Sequence, residues 1–251
     1  MPPPRTALLL CALLCAACGE GVPILMYHSV GDGGEPLTVS PVELDAQLDF
    51  LHSAGFETIT LREVVDAQDG GGKLPRHPVV LSFDDGYDDA VKNVLPRLLA
   101  RGQKATFFIV SGFCAPDEAS RVAQGRYRYL TWPEVRALAD AGMEIGSHTV
   151  SHRKLSGMQK DELRAEIERS RAALQAYAGQ RIDFFAYPFN DQRQWVRRAV
   201  ERAGYRGAVV GAHGNTDRFT LQRLTMHRGL SPADLRSMLS DSWETSYTEG
   251  G

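Results

Sequence analysis

The stretch VVLSFDDGYDD, residues 79–89, shows how this chain is organised. Its first five residues are apolar except for Ser82, which is typical of a strand buried in a protein core. The strand then ends on two adjacent carboxylates, Asp84 and Asp85, followed by Gly86. Charged side chains are rarely buried without partners, so two of them at the end of a core strand indicate a polar site.

Size and charge limit the classes of protein to which the chain can belong. It has 251 residues, of which 43% are hydrophobic and 24% charged, enough for one full hydrophobic core. The formal net charge of -3 at pH 7 argues against a nucleic-acid-binding protein, which would usually present a basic face. No internal apolar run reaches the length of a membrane span.

Residues 1–18 differ from the rest of the chain. A basic start is followed by the apolar run ALLLCALLCAAC, which is typical of a secretory signal peptide and too short to span a membrane. The ending LLCAACGE also resembles a bacterial lipoprotein signal, in which Cys18 would be lipidated; a plain cleaved signal is the alternative. The sequence therefore predicts a secreted, periplasmic or cell-envelope protein that would contact a membrane only through such an anchor.

Cysteine usage restricts both stabilisation and metal binding. Three of the four cysteines lie in residues 1–18, and Cys114 is the only one in the body of the chain. An internal disulfide is therefore excluded there, and any metal must be bound by histidine and carboxylate.

Beyond residue 22 the chain alternates between apolar strands and amphipathic helices. Ser40, with Pro41 directly after it, predicts the start of a helix that ends at Gly55, and a further helix is predicted over about residues 88–101. Strands that alternate with helices imply a parallel sheet. Seven or eight such units predict an α/β fold, an irregular (β/α) barrel.

The predicted domain boundaries follow from this alternation. We expect one domain, a barrel over residues 22–240, with residues 241–251 as a C-terminal tail. A doubly wound open sheet is the alternative architecture.

Polar or special residues follow four of the predicted strands. In both parallel architectures, functional groups belong at the carboxyl ends of the strands. The residues at these ends are His28, Asp84 with Asp85, His148, and Tyr187 with Pro188. This convergence predicts one functional site on one rim of the sheet.

The segment SHTVSH places His148 and His152 four residues apart. On a helical turn the two would share a face, as in the zinc-binding helices of metalloproteases. Two histidines with one carboxylate and an open position are a standard catalytic zinc set, although a surface or capping histidine pair is the alternative. Zinc fits these ligands, and cobalt, nickel or manganese are also accepted by histidine and carboxylate.

The two adjacent aspartates can have different roles. Neighbouring residues on an extended segment point in different directions, so one carboxylate can bind the metal while the other accepts a proton from the reacting water. Gly86 would let the chain turn away sharply. The alternative is that Asp84 or Asp85 only caps the next helix, but Asp88 and Asp89 are available for that role.

Three segments, LSFDDG, SHTVSH and FAYPFN, resemble motifs of the polysaccharide deacetylase family, also called the NodB-homology or carbohydrate esterase 4 family. The resemblance runs from about Val22 to Leu239. PILMYHSV and LTWPEVRALADAGMEIGSHTVSH resemble the branch that contains the poly-N-acetylglucosamine deacetylases of biofilm export systems.

The resemblance implies an irregular (β/α) barrel that removes N-acetyl groups from an N-acetylglucosamine-containing polysaccharide. It implies Asp85, His148 and His152 as metal ligands and Asp84 as the general base. The Phe189 backbone N–H would stabilise the oxyanion.

The third motif departs from the family pattern. FAYPFN keeps Pro188 and an aromatic residue after it, but Ala186 stands where the family usually has arginine, and Asn190 where it has glycine. Arg223 is a candidate substitute for the missing arginine. Tyr187 and Pro188 are further candidates for substrate contact or for tuning the base.

The general acid is expected to be His28. It follows PILMY, and the exopolysaccharide branch takes this histidine from its N-terminal strand. His227, in LTMHRG, is the alternative, but Arg228 follows it where the wider family has aspartate. A buried, hydrogen-bonded structural histidine is the other interpretation of His28.

The expected partner is an acetylated glucosamine polysaccharide acted on by a monomer, with no nucleic acid. Peptidoglycan, chitin-like oligomers or a small acylated compound are alternative substrates. An inactive carbohydrate-binding barrel is the alternative from another class of protein. RYRY, residues 126–129, would either line a sugar groove or form a solvated edge.

Overall fold

The computed structural model describes residues 21–211 and 217–248. The signal segment 1–18, and with it Cys18, lies outside these residues, so the location and lipid anchor stay predictions. None of the helices in the described part is long and apolar enough to cross a membrane.

Twelve strands and seven α-helices follow one another along the described chain. The strands are β1 (Ile24–Tyr27), β2 (Ser29–Val30), β3 (Thr38–Val39), β4 (Glu57–Ile59), β5 (Pro78–Phe83), β6 (Thr106–Ile109), β7 (Ala123–Gln124), β8 (Tyr127–Arg128), β9 (Glu144–Ser147), β10 (Phe184–Ala186), β11 (Gly207–Val209) and β12 (Leu224–Thr225). The helices are α1 (Pro41–Ser53), α2 (Leu61–Gln68), α3 (Leu95–Ala100), α4 (Trp132–Asp140), α5 (Lys160–Ala178), α6 (Gln194–Arg202) and α7 (Pro232–Thr248).

Eight of the strands form one parallel sheet in the order β11-β10-β9-β6-β5-β1-β12, with β4 beside β5. A parallel bridge between Val209 and Leu221 joins β11 to the segment that continues into β12. The two ends of the strand order therefore meet, and the predicted irregular (β/α) barrel is confirmed in place of an open sheet.

Side chains alternate between the inside of the barrel and the surrounding helices. One buried cluster combines inward residues of the strands with the apolar face of α2: Ile24, Ile59, Leu61, Val64, Val65, Val80, Phe108, Phe184, Ala186, Val209 and Leu221. The other joins outward strand residues such as Leu81 and Phe185 to the remaining helices. Helix α2 thus packs into the barrel interior, opposite the rim where the strands end.

Phe108 fills the centre of the barrel because β9 carries Gly146 next to it. A Cβ atom at Gly146 would lie 2.5 Å from the Phe108 ring. The Arg223 guanidinium lies over the same ring, 5.5 Å from its centroid. Phe108 is therefore the apolar floor beneath the polar groups at the rim.

Helix boundaries follow the sequence signals where caps are present. Ser40 and Glu43 form a capping box at the start of α1, with Pro41 at its first position, as predicted. The predicted helix over about residues 88–101 is confirmed, because helical geometry runs from residue 89 to Ala100. Its first part is a π-helical turn, Ala90–Val94, and α3 follows, with Pro96, which has no N–H for an α-helical hydrogen bond, in its first turn.

The last helix extends beyond residue 240, the predicted end of the domain. Helix α7 continues to Thr248, into the segment predicted as a C-terminal tail.

Candidate metal and catalytic site

The carboxyl ends of β1, β5, β9 and β10 bring the predicted residues to one rim. Beyond the end of β5, the Asp84 N–H donates to the Tyr27 carbonyl oxygen at 3.0 Å. Beyond β9, the His148 N–H donates to the Ile109 carbonyl oxygen at 3.0 Å. The ladder hydrogen bonds continue past the strands, so the backbone of both residues is held by the sheet.

Asp85, His148 and His152 form a compact cluster. Asp85 Oδ1 lies 3.5 Å from His148 Nε2 and 3.3 Å from His152 Nε2. The three potential ligand atoms lie within 4.8 Å of one another, and no other such group occurs in residues 21–211 and 217–248. One carboxylate oxygen and two imidazole nitrogens are a donor set that suits zinc and similar divalent metals.

The tautomer of His148 also fits a metal ligand. His148 is buried, and its Nδ1 lies 2.8 Å from the Ala186 carbonyl oxygen. A carbonyl oxygen only accepts, so Nδ1 carries a proton, and Nε2 is the ring nitrogen that faces Asp85 in the cluster. Such a second contact is usual for a metal-binding histidine.

Backbone conformation directs Asp85 into the cluster. Asp85 has φ 73° and Gly86 φ 75°, so two consecutive left-handed residues turn the chain away from β5. A Cβ atom on Gly86 would lie 3.0 Å from the Ile109 side chain, so the turn also needs a small residue. The turn expected at Gly86 is present, and it begins one residue earlier.

The two histidines do not share a helical turn, so that part of the prediction is wrong. Thr149 and His152 have φ values of 70° and 54°, which no right-handed helix contains. The segment is a loop, yet its two rings lie 4.8 Å apart between centroids. Left-handed residues fold the chain back and bring the rings together.

Glu166 of α5 holds this loop, and sequence reasoning missed it. Its carboxylate accepts hydrogen bonds from the Val150 N–H, the Ser151 N–H and the Ser151 hydroxyl, at 2.9, 2.9 and 2.6 Å. Its place on the buried side of an amphipathic helix is a weak signal, because α5 carries several other acidic residues.

Asp84 is paired with Arg223 inside the barrel. Both are buried, and two guanidinium nitrogens donate to the two carboxylate oxygens at 2.7 Å each. Arg223 also donates to the Val210 carbonyl oxygen at 3.1 Å and to the Ser82 hydroxyl at 3.2 Å. Arg223 comes from the segment that closes the barrel, whereas Ala186, the last residue of β10, stands where the motif usually has arginine.

This pairing decides the charge state of Asp84. Burial alone would raise the pKa of its carboxyl, but the positive charges of Arg223 and His148 and the Arg223 hydrogen bonds outweigh it. The pKa of Asp84 therefore lies below its usual value. At Asp85, burial is likewise outweighed, there by the hydrogen bond and charge of His148, and its pKa is also lowered.

The remaining predicted residues are placed as follows. His28 is half-buried at the end of β1 and close enough to lower the pKa of both Asp84 and Asp85. Phe189 is 59% exposed, and its ring lies 4.8 Å from the His152 ring. Pro188 is buried beside it.

Two candidates lie away from the cluster. The Tyr187 ring packs edge-on against Phe185 in the outer core, 5.2 Å between centroids, so its side chain does not line the site. His227 is exposed, and its Nδ1 contacts the Arg228 carbonyl oxygen.

The aromatic residues of RYRY pack against other side chains. The Tyr127 ring stacks on Tyr87, with centroids 4.6 Å apart, and the Arg126 guanidinium lies over it. Tyr129 is buried. Burial and the nearby Asp85 carboxylate raise the pKa of Tyr87, so this stack lies next to the cluster. Tyr87, Tyr127 and both arginines of RYRY line a surface cavity beside β2.

A family model described as "Polysaccharide deacetylase" matches residues 71–208, more than half of the chain. The chain belongs to the polysaccharide deacetylase family, whose members are enzymes that act on acetylated sugars.

Three curated relatives differ in how much of each chain is matched. YxkH of Bacillus subtilis is 28% identical over 214 residues, 84% of this chain and 73% of that protein. A poly-β-1,6-N-acetyl-D-glucosamine N-deacetylase of Escherichia coli is 29% identical over 52% of this chain and 21% of its own length. A peptidoglycan-N-acetylglucosamine deacetylase of Bacillus cereus is 30% identical over 50% and 42%.

A solved structure shares the fold. The Streptococcus pyogenes deacetylase PplD, determined in complex with acetate, superposes with a TM-score of 0.77 at 24% identity. The match covers 87% of this chain and 97% of PplD. The barrel described above is therefore the fold of a known deacetylase.

The buried pair predicts how stability depends on pH. Arg223→Met would leave Asp84 buried without a partner, and we expect the free energy of unfolding at pH 7 to fall by about 3–5 kcal/mol. The wild-type pair stabilises the fold above the pKa of an unfolded aspartate, about 3.9, and this stabilisation is lost as pH falls through the lowered pKa. In the variant, Asp84 becomes protonated on acidification and its penalty disappears. The difference between the two proteins should therefore shrink from pH 7 to about pH 4.

Denaturant unfolding in a metal chelator measures this difference. The double variant Arg223→Met/Asp84→Asn is the control, because it removes both charges and should recover part of the loss at pH 7. A destabilisation of the same size at both pH values would contradict the prediction.

Proposed function

We propose that this protein is a metal-dependent N-deacetylase of an N-acetylglucosamine polysaccharide, with a poly-β-1,6-linked exopolysaccharide as its substrate. The observation that carries the proposal is the buried Asp84–Arg223 pair beside the Asp85, His148 and His152 cluster. A proton acceptor next to a three-ligand site with an open side suits the hydrolysis of an amide.

Asp85, His148 and His152 would hold the metal, with zinc favoured and cobalt, nickel or manganese also suited to the donors. When bound, a divalent metal would polarise the acetyl carbonyl and acidify the attacking water. Three features hold these donors in place before a metal binds. The left-handed turn positions Asp85, the hydrogen bond to the Ala186 carbonyl oxygen orients His148, and Glu166 fixes the loop that carries His152.

Asp84 would act as the general base. Arg223 keeps its carboxylate ionised at neutral pH, so it is ready to accept the proton that water loses as its oxygen bonds to the acetyl carbon. The Phe189 N–H would then stabilise the negative oxygen of the tetrahedral intermediate.

His28 would complete the reaction as the general acid. When the carbon–nitrogen bond breaks, the departing nitrogen needs a proton, because an amide anion is a poor leaving group. His28 reaches the same rim as the two aspartates from a different strand, and histidine suits proton transfer near neutral pH. The products are acetate and a glucosamine unit with a free amine.

Two relatives bear on the substrate. The Escherichia coli relative acts by its name on poly-β-1,6-N-acetylglucosamine, and the position of His28 directly after β1 resembles that branch. The Bacillus cereus relative keeps peptidoglycan as the second candidate. The complete set of acidic residues and histidines speaks against an inactive carbohydrate-binding barrel.

Acetate release from a panel of acetylated glycans tests the function. We expect release from poly-β-1,6-N-acetylglucosamine, loss of activity in a chelator, and recovery with zinc or cobalt. Release from peptidoglycan alone would replace the substrate. Activity that survives complete metal removal would contradict the metal assignment.

Substitution of Asp84 and of Asp85 should have different effects on metal binding and on kcat. Asp85→Ala should lose bound metal and activity together, whereas Asp84→Asn should keep metal and lose about 10²–10⁴ in kcat. Metal content by atomic spectroscopy and acetate release measure the two effects. Asp140→Asn, on the outer side of α4, is the matched control and should behave as wild type. Normal turnover of metal-loaded Asp84→Asn would end its assignment as the base.

The two candidate histidines form a second matched pair. His28→Ala should keep metal and fold but lose kcat by about 10²-fold or more, since the leaving nitrogen is no longer protonated. His227→Ala removes an exposed histidine and should keep near-normal kcat. A full loss of kcat in His227→Ala, with His28→Ala active, would reverse the assignment.

A further inference from the structure

We infer that Asp89 and Asn93 position the general acid, by fixing the strand end that carries His28; this inference rests on the proposed function. Neither residue contacts the cluster of Asp85, His148 and His152 in the described hydrogen bonds. Instead, Asp89 binds both residues that follow His28, Ser29 and Val30, and Asn93 binds Val30.

The contacts are short and specific. Asp89 Oδ2 accepts hydrogen bonds from the Ser29 hydroxyl at 2.7 Å and from the Val30 N–H at 3.0 Å. Asn93 Nδ2 donates to the Val30 carbonyl oxygen at 2.6 Å. Ser29 and Val30 are buried, so these groups have no easy replacement in solvent.

The two side chains take the place of a neighbouring strand. The short strand β2 pairs with β3, and Gly31 donates to Val39 across that pair. Val30, one residue earlier, turns its N–H and carbonyl to the other side, where an edge strand is normally unpaired. Asp89 and Asn93 satisfy both groups, and we call this pair of side chains the clamp.

The π-helical turn explains how both residues reach Val30. Residues four apart lie near each other on a helical turn. The wide turn over 90–94, closed by the Leu95 N–H to the Ala90 carbonyl oxygen, holds Asp89 and Asn93 on the side of β2. Neither aspartate of this segment serves as the helix cap expected from sequence: Asp88 pairs with Lys92 and Arg128, and Asp89 makes no capping hydrogen bond.

The position of the His28 ring is set mainly through its backbone. Its Nδ1 is buried and makes no hydrogen bond to any described residue. The backbone is tied on both sides instead, at Tyr27 by the Asp84 N–H and at Val30 by Asp89. One segment of chain, residues 84–93, thereby sets the distance between the base and the acid.

Substitution should reveal the clamp in kcat. Asp89→Ala removes both acceptor contacts, and we expect kcat on a soluble poly-β-1,6-N-acetylglucosamine oligomer to fall about 10- to 100-fold, with KM and metal content unchanged. Asp89→Asn keeps an oxygen that can accept both hydrogen bonds and should retain most of kcat. Asn93→Asp places a carboxylate oxygen against the Val30 carbonyl and should lose kcat as Asp89→Ala does.

Two readouts separate positioning from general loss of structure. In a His28→Ala background, Asp89→Ala should cause no further loss of kcat, since there is no acid left to misplace. On an aryl acetate, whose phenolate leaves without a proton, Asp89→Ala and His28→Ala should both keep the wild-type rate. If Asp89→Ala does not fold, Asn93→Asp carries the same two comparisons.

Asp234→Ala is the matched control. Asp234 accepts the same pair of hydrogen bonds, from the Ser231 N–H and hydroxyl, at the start of α7. Its loss should lower stability and leave kcat unchanged. Wild-type kcat in Asp89→Ala and Asn93→Asp, with His28→Ala inactive, would overturn the clamp and leave the proposed function standing. Wild-type kcat in His28→Ala would overturn the acid assignment and the clamp with it.

Discussion

The buried ion pair between Asp84 and Arg223 is the constraint on which the rest of the site depends. An unpaired carboxylate at the end of a core strand would be too costly, and a guanidinium with two parallel hydrogen bonds is a partner that meets the cost. Arg223 comes from the segment between Leu221 and β12, which also closes the barrel. The segment that closes the barrel therefore also supplies the charge that keeps the Asp84 carboxyl ionised.

The other polar groups at the rim depend on short-range backbone features. Asp85 reaches the two histidines because the chain turns through left-handed conformations directly after β5. His152 reaches them because Glu166 ties down the loop after β9. The sheet supplies the common rim, and these turns place each side chain within it. A polar cluster drawn from several strands thus needs both a rigid sheet and unusual backbone angles at its edge.

Predictions from the sequence were most reliable where the residues of a single element were enough to specify its structure. Ser40 and Glu43 form the predicted cap of α1, and the alternation of strands and helices was enough for the barrel class. Errors arose where a local pattern had two structural solutions. A four-residue histidine spacing suits a helical turn or a folded loop, and only the second occurs after β9. RYRY is a different case, because the sequence allows either a sugar groove or a solvated edge, and in the structure its Tyr127 ring stacks on Tyr87.

By itself the sequence determined the fold class, the strand ends that carry polar residues, and the identity of Asp84, Asp85, His148 and His152 as the polar set. These follow from periodicity and from motifs that lie within a few residues. The tertiary structure alone decided that Arg223 partners Asp84. It also decided that Asp89 and Asn93 bind the strand end beyond His28, and that Glu166 holds the histidine loop. Each of these contacts joins segments far apart or on different elements, and no local pattern records which buried polar group will satisfy which.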